Sequence, residues 1–348
     1  MWAVDNRTPF AAQGSFLRDR HGVEHWVVAV RACFSLRADG LLDVAPEPPP
    51  VRLVGEYVNG QAREMKAAAD IAPFRPAADI LVRGIACAPG EAVRRTCAVR
   101  VRVGAIEKRA RVSGRRVLRR TGGRRGRLTL DGPEDFAGVR LVWRAALGGV
   151  DPFAEPGSPA AAPHPHNPVG RGWTARWSDL PEGAELALPL IEDPARPVVP
   201  GRPLPPPHGF GPLQPAWRPR LDHAGTYDEA WMATRAPLPP EDFSEAFHQT
   251  APADQIYPGV LRGGEPVEVE GLHPDGPYAF RLPQVLLEAR TRIGTARTQE
   301  RLRLVAAILD GSARSVELVF NAAVACNGRD HAVEGSTVTV RQMAGVAR

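Results

Sequence analysis

Lysine is almost missing from this chain. Of 44 basic residues only Lys66 and Lys108 are lysines, and the other 42 are arginines. A skew of that kind is more simply the mark of a GC-rich genome than a functional demand, so every basic patch must be discounted accordingly. Cysteine is scarce as well. Cys33, Cys87, Cys97 and Cys326 show no spacing typical of a metal site or a redox pair, which points to reduced, inert thiols. No segment approaches the ~18 uninterrupted apolar residues of a membrane-spanning helix. The start, MWAVDNRTPF, lacks the basic-then-apolar order of a secretory leader. A soluble, cytoplasmic protein is expected. With 36 Pro and 34 Gly there is little room for long helices.

What remains is mostly strand pattern. WVVAVRACFSL, from Trp26 to Leu36, is β-branched and apolar, and an Asp39-Gly40 turn followed by LLDV predicts a hairpin. DILVRGIA, from Asp79, reads as another strand. CAVRVRVG, from Cys97, alternates valine and arginine as a strand buried on one face does. LVWRAAL at 141–147 is expected to be extended too. Near the end, RLRLVAAIL, an Asp310-Gly311 turn and SVELVF predict a second hairpin, and STVTVRQM a last strand. At 348 residues the chain can bury a sizeable core without staples.

Half of the prolines, 18, fall between Asp151 and Pro219. Trp173, Trp177, Phe210 and Trp217 make this stretch too apolar for a solvated tether, so ordered loops over a β core are expected. Two short helices are predicted next. Thr226 and Glu229 have capping-box spacing, and PPEDFSEAFHQTAP offers Phe243 and Phe247 four residues apart. The expected fold is therefore mainly β: one globular unit of antiparallel sheets, long proline-rich ordered loops and two short α-helices. Residues 1–150 form its β-rich half, 151–222 the loops, 223–290 the helices and further loops, and 291–348 the C-terminal hairpin and final strand.

Catalytic constellations are sparse. His223 lies close to Asp222 and Asp228, but no G-x-S-x-G elbow or cysteine–histidine signature nominates a nucleophile, which leaves a hydrolase as the weakest reading. His164 and His166, in HPHNP, have no nearby downstream partner for a metal. GGRRGR, from Gly122, lacks the ending of a phosphate-binding loop. No metal or cofactor is expected.

The basic tract from 94 to 127 holds fourteen Arg or Lys and one acid, Glu107. The chain total is +5, so the remainder is acidic by about eight charges. Arg111, Arg115, Arg116, Arg119, Arg120, Arg124 and Arg125 are the anion-binding candidates, for an acidic protein or a nucleic acid. The tract has no aromatic residue for base stacking, which counts against nucleic acid, and a solvated strand face is the plain alternative.

An ordered series of motifs carries a resemblance. NRTPF at 6–10, DIAPFRPAADILV from Asp70, GGVDP from Gly148, NPVGRGW from Asn167 and LPLIEDP from Leu188 come first. GFGPLQPAWRPR from Gly209, AGTYDEAW, RAPLPPEDF and APADQ at 251–255 complete it. Together they resemble the bacterial domain of unknown function 2169, over roughly residues 5–320. The resemblance implies a non-enzymatic adaptor or chaperone that helps load a toxic effector onto the spike of a type VI-like secretion system. Partner-binding candidates are Trp173, Trp177, Trp217, Trp231, Arg218 and Arg220, since tryptophan and arginine are favoured at interface centres. The partners so implied are an effector toxin and a spike protein, with no membrane.

Overall fold

Strands buried on both faces build the central sheet. The computed structural model describes residues 3–60, 64–122 and 126–347. In it Ala11–Arg18, Glu24–Leu36, Ser315–Ala325, Arg303–Asp310 and Asp79–Arg83 lie side by side in that order, and Leu42–Val44 pairs with Glu24–Leu36 to complete six strands. All pairings are antiparallel except that of Asp79–Arg83 with Arg303–Asp310. The register sets two kinds of row across the sheet. Ile80, Ala307, Leu318 and Ala32 form one, and Val82, Leu309, Val316 and Phe34 the next; all are buried in the main core. The intervening rows point to the other face. They bring together Leu81, Ile308, Glu317 and Cys33, and then Arg83 with Asp310. Both predicted hairpins are present, and they are neighbours in this one sheet.

Two further sheets share the core. Ala3–Arg7, Val333–Ala344, Gln284–Ile293 and Ala296–Arg301 form a four-stranded sheet, and Ile191–Glu192, Ile106–Ser113, Thr96–Val103, Pro266–Glu270 and Tyr278–Arg281 a five-stranded one. Val30 and Phe34 from the first sheet, Leu287 and Ala289 from the second, and Val99 and Val101 from the third belong to a single apolar cluster. Trp26 ties sheets together: its indole N–H donates to Ser336 Oγ at 2.8 Å. A Cβ at Gly14 would stand 2.3 Å from that ring, so only glycine fits there.

Between Asp151 and Pro219 regular structure is limited to two- and three-residue strands and single 3-10 turns. Leu118, Leu147, Leu180, Leu186, Leu188 and Val198 make a separate small core there, beside the sheet of Val117–Thr121, Arg127–Asp131 and Glu185–Ala187.

Three local expectations need correction. The segment 141–147 is not one strand: it is a 3-10 turn, Trp143–Ala145, that leads into the two-residue strand Leu147–Gly148. Asn167 Nδ2 donates to the carbonyls of Trp143 (2.9 Å) and Leu147 (2.8 Å), so a side chain satisfies what a ladder would have. One α-helix forms among the described residues, not two. It is Glu229–Thr234, and its N-cap is Asp228, whose carboxylate accepts from the Trp231 N–H at 2.8 Å. The capping box is absent because Thr226 donates instead to Asp242, by its N–H at 2.9 Å and its hydroxyl at 2.8 Å. The second predicted helix is a 3-10 turn, Glu245–His248, capped by Ser244. Beyond it the Thr250 N–H and hydroxyl donate to Asp79 instead of continuing a helix. Phe243 and Phe247 still meet, with ring centroids 5.7 Å apart. No helix among the described residues is long and apolar enough to cross a membrane.

Candidate functional site

The outer face of the six-stranded sheet carries buried charge, whereas the inner rows of Ile80 and Val82 are wholly apolar. Arg31 and Glu317 project from its two central strands, and Arg83 from its edge strand. The segment following Pro50 lays Arg52 and Asp70 over them. Glu317 Oε2 accepts from Arg31 Nη2 and from Arg52 Nη2, each at 2.7 Å, while Oε1 accepts from Arg83 Nη2 at 2.8 Å. Arg52 also donates to Asp70 (2.9 Å), and Arg83 to Asp310 (2.8 Å). Three guanidinium groups and three carboxylates thus close a neutral cluster. Burial pushes the Glu317 carboxyl up, but Arg83, Arg52 and Arg31 outweigh it and hold the group below the usual glutamate range. At Asp70 burial wins over Arg52, and its carboxyl is raised. The Cys33 thiol beside them is pushed up to about 11, chiefly by burial, with Glu317 adding to the effect.

Beside this cluster lies a cleft of 470 Å³. Met65, Leu81, Ile85, Leu141, Val142 and Ile308 give it an apolar lining, and Arg52, Lys66, Arg83 and Arg140 bring charge. Its two acids are already held: Glu64 by Arg144 at 2.6 Å, and Asp310 by Arg83. The one hydroxyl with both bonds placed, Ser312 Oγ, accepts from the Ile85 N–H (2.7 Å) and donates to the Leu272 carbonyl (3.2 Å). A second cleft of 420 Å³ adjoins, sharing Arg52, Lys66, Ala67 and Arg83 with the first. The arrangement can grip a ligand by apolar contact and positive charge.

The basic tract is not a free electropositive face. Arg111 (2.8 Å) and Arg116 (2.7 Å) converge on buried Glu192; Arg115 pairs with Glu134 at 3.0 Å; Arg119 pairs with Asp131 at 2.8 Å and Glu185 at 3.1 Å. Arg120 donates to the carbonyls of Ser178 and Leu180, and Lys108 is buried against Asp254 and the Phe210 ring. The acids counted elsewhere in the chain fold back onto these cations. Arg124 and Arg125 lie outside the described residues.

The partner-binding candidates divide. Trp217 is only 2% exposed and packs on Trp143, edge to face at 5.9 Å, so its ring is core and has no surface to offer. Arg220 is buried too, donating to the carbonyls of Phe247 and Leu213 and stacking on the Phe247 ring. Both are corrected to structural roles, because burial and backbone bonds consume them. Trp173 is half-buried edge-on to His164, with centroids 4.7 Å apart. Trp177 is half-buried and donates to the Arg202 carbonyl. Trp231 is half-buried beside exposed Tyr227 and Met232, and Arg218 is exposed and paired with Asp222 at 3.1 Å. These four do not share a lining with the cleft.

The hydrolase constellation does not assemble. Asp222 faces Arg218, Asp228 caps its helix, and the His223 carbonyl accepts from the Ser244 N–H. His164 Nδ1 accepts from the His166 N–H at 3.2 Å, and no cluster of metal-ligating residues occurs among the described residues. Burial, with His166 beside it, lowers the His164 imidazole to about 4.

The motif residues serve mainly to pin loops. Asp151 of GGVDP accepts from Thr174 and from the Ala175 N–H; Asn167 of NPVGRGW spans the Trp143–Leu147 turn; Gln255 of APADQ donates to the carbonyls of Ile80 and Phe210. A Cβ at Gly148, where φ is +144°, would stand 2.2 Å from the Asn167 carbonyl oxygen. The family model for DUF2169, described as uncharacterized protein conserved in bacteria, matches residues 21–321. The chain belongs to the DUF2169 family. No curated protein and no solved structure matches it. Asn321 follows LVF in this DUF2169 member, and its side chain donates to the Asp70 carbonyl at 2.8 Å and accepts from the Ala72 N–H at 2.9 Å.

Proposed function

We propose that this DUF2169 protein is a non-enzymatic cytoplasmic adaptor, or chaperone, that binds a secreted effector and helps load it onto the spike of a type VI-like secretion system. The observation that carries the reading is the apolar cleft on the outer sheet face, bordered by Arg52 and Arg83, which Glu317 holds in place. An apolar surface with charges at its margin suits protein binding. The motif series points to the same role by resemblance. An arginine-rich module for acidic proteins or nucleic acid is less favoured, because the described arginines of its tract are spent on local carboxylates and carbonyls. Ile85 lines the cleft and is 38% exposed, so Ile85→Asp alters the surface without opening the core. In the native bacterium, deletion should leave the effector synthesised but absent from the medium. The unchanged chain should restore its export, and Ile85→Asp should not. Export that persists after deletion refutes the reading.

A further inference from the structure

We infer that the cleft on the outer face of the six-stranded sheet takes a segment of partner polypeptide in which acidic residues alternate with apolar ones. The inference rests on the adaptor reading and names the chemistry of what the cleft holds. Four cations line the larger cleft against two acids, and both acids are engaged, Glu64 by Arg144 and Asp310 by Arg83. Arg52 is saturated by Asp70 and Glu317. Spare charge is therefore positive. Arg140 is exposed and has no ion-pair partner among the described residues. Lys66 is 68% exposed, and its nearest carboxylate, Glu56 of the adjoining cleft, is 3.7 Å away.

Lys66 and Arg140 come from separate segments, and both border the lining that includes Met65, Ile85 and Leu141. An occupant complementary to this surface presents apolar side chains to the floor and carboxylates to the two margins. An extended chain that alternates the two turns its apolar side chains to the floor and its carboxylates to the open side, where the long, exposed side chains of Lys66 and Arg140 can meet them. The second cleft continues the first through Arg52, Lys66, Ala67 and Arg83, which gives a groove rather than a single side-chain pocket. Leu53 and Val54, next to Arg52 in the chain, are also exposed.

The test is fluorescence anisotropy with the full chain and two labelled peptides. Both carry Leu and Val at alternate positions; one has Asp and Glu between them, the other Lys and Arg. The acidic peptide should bind saturably and the basic one should not. Lys66→Glu with Arg140→Glu should weaken the acidic peptide roughly tenfold, because each reversal replaces an attraction at a solvated margin with a repulsion. Thermal unfolding of that double variant should be unchanged, since both side chains are exposed. Equal binding of the two peptides, binding of neither, or an acidic-peptide affinity that ignores the double substitution overturns the inference. So does a small anion found in the purified chain by native mass spectrometry and displaced by either peptide. Failure here is separable from failure of the adaptor reading. If the unchanged chain and the double variant export the effector equally well, only the assigned chemistry falls; if deletion leaves export intact, the adaptor reading itself falls.

Discussion

Glu317→Gln removes one charge from a neutral group of six. Arg31 and Arg52 have side chains 7% and 6% exposed, so neither can turn to water when Glu317 stops holding them. Arg83, 47% exposed, can do so and still keeps Asp310. Asp70 remains bonded to Arg52 but lies 3.9 Å from Arg31. The substitution therefore leaves about one guanidinium charge buried without a counter-charge, and the new amide NH2 faces donors. Breaking a buried pair in this way costs about 3–5 kcal/mol. The retained Asp70 contact puts the expectation at the lower end, about 3 kcal/mol, or a fall in Tm of roughly 4 °C for a chain of 348 residues. Urea and thermal unfolding at pH 7 measure it. The pH dependence is a second readout. The native-state pKa of Glu317 lies below its unfolded value, so its stabilisation is present above the unfolded value and is lost as pH falls through the folded one. The variant should lack that share of acid sensitivity. A loss under about 1 kcal/mol, or an unchanged pH profile, refutes the account of the cluster.

Other consequences are as direct. Asn167→Ala deletes two hydrogen bonds to buried carbonyls and should cost about 2–4 kcal/mol in urea unfolding. A loss within error of zero would mean that the loop holds itself. Trp217→Ala should cost about 3–5 kcal/mol by opening the contact with Trp143, whereas Trp231→Ala, at a half-buried site, should cost clearly less; equal losses would contradict the placement. His164 has a native value of about 4 against an unfolded ~6.5, so the unfolded chain takes up the proton first. Stability from this group is complete above pH ~6.5 and declines towards pH 4, by about 1–2 kcal/mol after allowance for partial solvation. His248, lowered to about 4 by burial with Arg75 and Arg220 beside it, acts in the same sense. His164→Asn keeps an acceptor for the His166 N–H and should flatten part of that decline; an unchanged slope between pH 7 and pH 4.5 refutes it.

Strands are legible where β-branched and apolar residues run together. WVVAVRACFSL and SVELVF announce themselves, and they pair in the structure along eleven residues. AAQGSFLR does not announce itself, because small and polar residues hide the period, yet it forms the strand Ala11–Arg18 by lying against Glu24–Leu36. The helices failed for the opposite reason. Capping patterns are local, whereas Asp242, sixteen residues on, took the bonds that Thr226 had to give. The arginine tract misled because charge was counted along the chain, while Glu192, Glu134 and Glu268 neutralise it across the fold. The cluster under the cleft had a readable signal that was overlooked. Arg31 and Glu317 are opposite charges within the apolar interiors of two strands, and such charges persist inside a sheet when they meet partners. That Arg52, Asp70 and Arg83 would join them depends on contacts spanning hundreds of residues, which no local pattern encodes.

Capture of a partner is the central claim, and a tagged pull-down from the native cell at low and high salt tests it most directly, with bound proteins identified by mass spectrometry. The account predicts that an effector or a spike component is recovered at both salts by the unchanged chain and lost from Ile85→Asp. Recovery of nucleic acid or acidic proteins alone, released at high salt and indifferent to Ile85→Asp, would contradict it.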